Sequence, residues 1–338
     1  MEKYKKNMPP DWEPPVPAWS AQIEKDCTEV VIEYIGVQTL TDNSQKPTAF
    51  HNWYAGMMKT EHAPIHTERG RMLDSENYVN DFYISYWNSK EDYENYRSSS
   101  EFMDWWGTEE RTRETSGYWL EPMIVPTERF ETLFSSEDKA GAATIFNDFK
   151  GPIKEHNYFG GMRDRLEISE VNLLEGNGSE LTKRSKIESL GKRVHLKTPE
   201  NLAIIRSAQN LGHCKQEELD YYYKDVHPHL LKGMDFIATN PKETGCACSR
   251  FSDELTLDGN STQKTFGFAY FLTLEHLEKW SKTHPTHLAI FHSFLEMVQS
   301  LEGQVAIKLW HEVSVLPKGQ TFEYINCHPK TGLLPWFN

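Results

Sequence analysis

The chain has no apolar run approaching the ~20 residues that cross a bilayer as a helix, and none follows its basic first residues, "MEKYKKNMPPDWEPPVPAW". Neither a membrane span nor a secretory signal is expected, and the reading is a cytoplasmic protein. Paired cysteines are missing too. Cys27, Cys214, Cys246, Cys248 and Cys327 are odd in number and form neither CxxC nor CxxCH. They read as reduced, structurally incidental thiols. The "CAC" at Cys246 to Cys248 offers at most half a metal site, and strand alternation argues against shared ligation. Basic charge is scarce: 36 Lys and Arg against 50 Asp and Glu leave a net charge of -14, with no basic run to override it. Such a field repels phosphate backbones and anionic lipid, which excludes nucleic acid and membrane surfaces as partners.

The 338 residues, 38% hydrophobic, suffice for one large domain or two small ones. Residues 28–38 read as a strand, 49–60 as a helix, 66–73 and 80–87 as strands, 90–106 as a helix and 117–125 as a strand. The order βαββαβ then recurs. Its second copy has a strand at 201–209, a long helix at 216–238, strands near 246–255 and 264–272, a broken helix at 275–301 and a strand at 305–316. The expected fold class is therefore α+β, a pseudo-duplicated ferredoxin-like architecture with antiparallel sheets and flanking helices. It divides into an extended Pro-rich arm (1–26), a first half (27–137), a connector (138–195) and a second half (196–338). The connector's "EGNGSELTKRSK" reads as an exposed loop, and the arm as lying on the surface or against a partner.

Residue matches accompany the repeat. "YISYWNSKEDYENY" lies over "GFAYFLTLEHLEKW", pairing Tyr86 with Tyr270, Glu91 with Glu275 and Glu94 with Glu278. "WLEPMIVP" lies over "WHEVSVLP", and the same alignment puts His287 opposite Met103 and His311 opposite Leu120. The second copy thus carries imidazoles where the first has apolar residues.

His287 belongs to "KTHPTHLAIFHSF", where Pro285 suits the first turn of a helix continued by Leu288, Phe291 and Leu295, a stripe expected to face the sheet. A histidine beside such a stripe is either a core residue bonded to a carbonyl or a single axial metal ligand. Zinc held by His284 and His287 lacks an evident third ligand. His284 reads as a cap or surface residue, and "DVHPHLL" as a helix restart at Pro228 with exposed imidazoles.

Five motifs, "HPTHLAIF", "LWHEVSVL", "FEYINCHPKTG", "GGMRDRLEIS" and "IIRSAQN", resemble the haem-containing aldoxime dehydratases, among them the phenylacetaldoxime dehydratases. The resemblance runs nearly end to end. It implies a haem b cofactor, ferrous in the active form, a homodimer, and a lyase reaction that converts an aldoxime, R–CH=N–OH, to a nitrile and water. It also implies roles: His287 as proximal iron ligand, His311 as distal acid and base, Ser207 holding the oxime hydroxyl, and Arg165 and Glu131 supporting His311. The bland alternatives are a small strand residue for Ser207, a surface ion pair with Asp164 for Arg165, and a solvated Glu131. A peroxidase-like or haem-degrading enzyme, and a non-enzymatic haem carrier, also fit a ferredoxin-like scaffold with one proximal histidine. Trp105, Trp106 and Phe291 are expected near the site.

Overall fold

Along residues 29–40, Val30, Ile32 and Tyr34 alternate with Val31, Glu33 and Ile35, and both sets are buried. A strand apolar on both faces must lie between two layers. In the computed structural model, which describes residues 4–41, 47–176, 178 and 180–338, one face meets the sheet of the other half and the other face meets helices.

The strands, in chain order, are β1 (Ser20–Gln22), β2 (Glu29–Leu40), β3 (His66–Leu73), β4 (Tyr78–Trp87), β5 (Gly117–Pro126), β6 (Phe130–Phe134) and β7 (Asp148–Lys150). The second half continues with β8 (Arg193–Lys197), β9 (Leu202–Asn210), β10 (Cys246–Leu255), β11 (Ser261–Phe271), β12 (Lys308–Leu316) and β13 (Thr321–Ile325). Within the first half the neighbour order is β3-β4-β2-β5, and within the second it is β10-β11-β9-β12. Both are the antiparallel ferredoxin-like order. The halves join where β3 pairs β10, Arg69 opposite Leu255, and β6, β13 and β8 extend the edges to eleven strands.

Between the two half-sheets lies an apolar layer containing Tyr34, Phe82, Phe268 and Tyr270, with Tyr34 and Phe268 ring centroids 4.1 Å apart. Within it the matched residues of the repeat are crossed. Tyr86 donates to Glu312 at 2.7 Å, and Tyr270 donates to Glu121 at 2.8 Å, so each tyrosine bonds the glutamate of the opposite half. Arg250 of the second half lies over Trp119 of the first, a further crossed contact, whereas Arg206 lies over Trp310 of its own half. Buried charges need such partners: Arg250 grips both oxygens of Glu121 at 2.6 Å, and Arg206 pairs Glu68 at 2.5 Å.

Several expected elements are refined. Residues 90–106 form two helices, Lys90–Ser98 and Ser100–Trp106. Ser99 is extended between them and its hydroxyl accepts from Phe102 N, the bond of a new N-cap. Residues 216–239 hold a π-type turn at Tyr222–Val226 before the helix restarts at His227, with Pro228 in its first turn. His229 is exposed and His227 half-buried, its ring 6.0 Å from Phe251. Cys246 and Cys248 are two apart, a spacing that shares a face in a regular strand. A β-bulge between them sends Cys246 to the helix-side core and Cys248 to the layer between the sheets, so irregularity rather than alternation separates them. The described part of the 175–186 loop has neither helix nor strand; Asn177 and Ser179 lie outside the described residues. The arm runs along the chain's own connector, where Trp12 donates to the His156 carbonyl and β1 pairs β7. Among the described residues no helix is long and apolar enough to cross a membrane.

Candidate active site

β9 and β12 are interior strands of the sheet, and their pairing places Ser207 directly opposite His311. Side chains in opposed positions point to the same face. Here it is the face that also carries Ala203, Val313 and Val315, away from the other half. Interior strands are ordinarily covered, yet Ile205, Ser207 and His311 are only half-buried, with 21% of the His311 side chain exposed. The helical cover is therefore open above them.

Beside this opening β6 pairs β12 with Leu133 opposite His311 and Glu131 opposite Val313, which brings Glu131 to the same face. Its carboxylate accepts from Arg165 Nε at 2.7 Å and Nη2 at 3.0 Å. His311 Nε2 lies 3.1 Å from Glu131 Oε1 and 2.9 Å from Arg165 Nη2. Burial pushes the Glu131 carboxyl upward, but Arg165 and His311 overcome that and hold it down at about 2. Arg165 pairs with Glu131 rather than with the neighbouring Asp164, and Glu131 is buried rather than solvated.

His287 stands in the first turn of the helix Pro285–Ser300. Its ring meets Trp280 edge-on at 4.8 Å, and Trp280 packs on the cluster that includes Ile205 and Val313, so both histidines serve one side of the sheet. His284 caps the helix: its Nδ1 accepts from Thr286 N, and its ring stacks on Phe236 at 4.1 Å. His284 is thus engaged through Nδ1 as the helix cap, and no group of three His, Cys, Asp or Glu suited to a metal occurs among the described residues.

A family model described as haem-containing dehydratase matches residues 33–333. The chain belongs to that family. It is 36% identical to a phenylacetaldoxime dehydratase of Bacillus sp. (strain OxB-1), over 98% of this chain and 95% of the relative. It is 33% identical to an aliphatic aldoxime dehydratase of Rhodococcus erythropolis, over 97% of this chain and 93% of that one. A crystal structure of an aldoxime dehydratase in complex with butyraldoxime superposes with a TM-score of 0.91 at 31% identity, covering 98% of this chain and 92% of that chain.

The residues present fit a haem. A planar cofactor held by one histidine needs a neutral imidazole with one nitrogen free and an adjoining gap. Burial pushes the His287 pKa down to about 4, opposed by the Ser281 main chain, so the ring is neutral at pH 7. Its Nδ1 is buried without a hydrogen-bond partner, and the half-exposed Ile205, Ser207 and His311 lie on the same side of the sheet.

Some expectations about the surroundings change in this haem-containing dehydratase. Phe291 and Leu295 are 39% and 45% exposed, because the helix packs through Ile290, Ser293 and Met297 against other helices rather than through that stripe onto the sheet. Met103, opposite His287 in the repeat, is 49% exposed and fills no core. Trp105 and Trp106 belong to the helical cover of the first half, with Trp53 and Tyr118, and not to this site. Sequence reasoning missed Leu133, the cross-strand neighbour of His311, and Gly267, the neighbour of Ser207 on β11. A Cβ on Gly267 would meet Met234 Cε at 2.9 Å. A glycine within the apolar run "FGFAYF" was the available signal for that close approach.

Proposed function

We infer that this chain dehydrates aldoximes to nitriles and water, with His287 holding the haem iron and His311 moving the proton. The observation that carries the residue assignment is the convergence of Arg165 and Glu131 on His311 Nε2, directly across from Ser207 on an open sheet face. When bound, the ferrous haem offers a site for the oxime nitrogen and electron density for the N–O bond being broken.

The chain's own residues do the rest. Glu131, ionised and clamped by Arg165, accepts from Nε2 whenever that nitrogen carries a proton; Arg165 donates to it when it does not. Either state of the imidazole is thus satisfied on that side, which leaves Nδ1 for the substrate. A proton passed from Nδ1 to the oxime hydroxyl lets water leave. The same nitrogen then takes the carbon-bound proton as the triple bond closes, which returns His311 to its starting state. General acid catalysis of this kind is worth ~10²–10⁴ in rate. Ser207, within the same cross-strand pair, orients the hydroxyl towards that nitrogen.

The domain limits given above, cytoplasmic residence and assembly as a homodimer belong to the same reading; light scattering on the purified protein tests the dimer. The activity is tested with haem-loaded, dithionite-reduced protein under anaerobic conditions, offered phenylacetaldoxime and butyraldoxime. Nitrile formation without oxygen or peroxide is the expected result. Turnover that requires peroxide, with no nitrile formed, would overturn it.

A further inference from the structure

Three consecutive side chains leave the short helix Gly161–Arg165 in three directions. Arg163 grips Glu278 on the helix Leu274–Thr283 through contacts of 2.8 to 3.1 Å. Arg165 reaches Glu131 and His311. Asp164, between them, faces the N-terminal arm. Its Oδ1 accepts from the Tyr4 hydroxyl, from Asn7 N at 2.9 Å and from Asn7 Nδ2 at 3.1 Å. Its Oδ2 accepts from Met8 N at 2.9 Å and from the Tyr158 hydroxyl at 2.8 Å. Five donors on one carboxylate are more than any local turn requires.

The arm also presses on the start of this helix: Gly160 has φ of +98°, and a Cβ there would lie 2.4 Å from Asn7 Cγ. Tyr4 and Asn7 otherwise border a cavity of about 370 Å³, shared with Arg163, Glu275, Glu278 and Lys282. Phe159, Leu173 and Leu174 line it as well, and the polar ties of residues 4–8 are the hydrogen bonds to Asp164 and an ion pair of 3.6 Å from Lys6 to Glu155. A five-residue helix cannot fix its own position, since nucleating a turn costs more than its first hydrogen bonds return. Its placement comes from ties made by its side chains and neighbours, among them the bond of 2.5 Å from Arg165 Nη1 to the Glu155 carbonyl.

We propose that Asp164 is a positioning residue of the dehydration site, latching the N-terminal arm to the helix whose next residue is Arg165 and so fixing the guanidinium on Glu131 and His311. The proposal rests on the roles given to Arg165 and His311 above. A small displacement of a positioning group costs up to ~10²-fold in rate.

The test uses the full-length holoenzyme with Asp164→Asn, with Tyr4→Phe plus Asn7→Ala, with all three changes together, and with Arg165→Ala as reference. The readouts are kcat, KM, the pH profile of kcat and Soret absorbance per protein. Asp164→Asn is expected to lower kcat about 10- to 100-fold, to displace the pH profile towards that of Arg165→Ala, and to leave KM and haem content nearly unchanged. The arm changes are expected to act in the same direction, and the combination to be no worse than Asp164→Asn, because both break one latch. An unchanged kcat and pH profile in Asp164→Asn beside a disabled Arg165→Ala overturns the latch alone, as do losses that multiply in the combination. An undisturbed Arg165→Ala overturns the site assignment and the latch with it.

Discussion

Ile35 faces Leu120 in the first half, and at the matching register of the second half Ser207 faces His311. One residue further along each strand, Tyr34 faces Glu121 and Arg206 faces Glu312. The inward glutamates are kept in both copies and both serve the layer between the sheets. The outward pair differs completely. Behind Ile35 and Leu120 the first half is filled by Phe50, Tyr54, Tyr83, Trp106 and Tyr118, all buried. Behind Ser207 and His311 the second half leaves its interior strands partly uncovered. One architecture thus closes its helical cover with aromatic side chains in one copy and leaves interior strand residues half-exposed in the other.

The two halves differ most at the matched pair His287 and Met103. His287→Ala should abolish the Soret band of protein expressed with ample haem, while Met103→Ala at the matched position should leave it intact. A normal Soret band in His287→Ala would remove the proximal assignment. Next, His311→Leu gives the second half the residue of the first. It should retain haem and lose ~10²–10⁴ in kcat, the factor of general acid catalysis, measured as nitrile formed per haem. Haem loss in step with activity would mean that His311 is structural.

A smaller effect is read as stability against pH. The Glu131 carboxyl falls from 4.5 to about 2 on folding, with Arg165 and His311 overcoming the cost of burial. Its contribution is therefore fully present above about pH 4.5 and is lost as pH falls through about 2, with an upper size of ~3 kcal/mol. Haem-free wild type should exceed Glu131→Gln in melting temperature at neutral pH, and the gap should close across that acid window. The His287 imidazole, lowered from 6.5 to about 4 by burial, destabilises both proteins equally as pH falls through that interval, so it cancels in the difference. A gap independent of pH would assign the loss to packing instead.

Much of this was legible in the sequence, and for identifiable reasons. Strong period-2 and helical patterns gave the eight repeat strands, and the matches Tyr86 to Tyr270 and Glu121 to Glu312 turned out to be crossed hydrogen-bond partners. The five-residue strands β6, β8 and β13 were not legible, because so short an edge carries little periodicity. The split at Ser99 was hidden since a serine inside a helical pattern gives no period change. At the site, the motifs pointed to Arg165 and Glu131 through resemblance alone. Their joint approach to His311 depends on β6 pairing β12 across 180 residues of chain, which no local pattern encodes.

The halves agree in their crossed tyrosine–glutamate pairs. If the crossed pairs are equivalent, Tyr86→Phe and Tyr270→Phe should cost similar stability, about 1.5–3 kcal/mol each for a hydrogen bond to a charged group. Their surroundings are not identical: Tyr86 also accepts from Arg206 at 2.7 Å, and burial raises the Glu312 carboxyl. Tyr270 instead shares Glu121 with Arg250 and Tyr324, so that carboxylate keeps strong donors when the tyrosine hydroxyl is removed. Tyr86→Phe leaves Arg206 without one of its acceptors, and should therefore be the costlier of the two in urea unfolding of the haem-free protein. The reverse order would show that the pairing on the His311 strand is the slacker one, and that the half with the open sheet face is looser on its inner face as well.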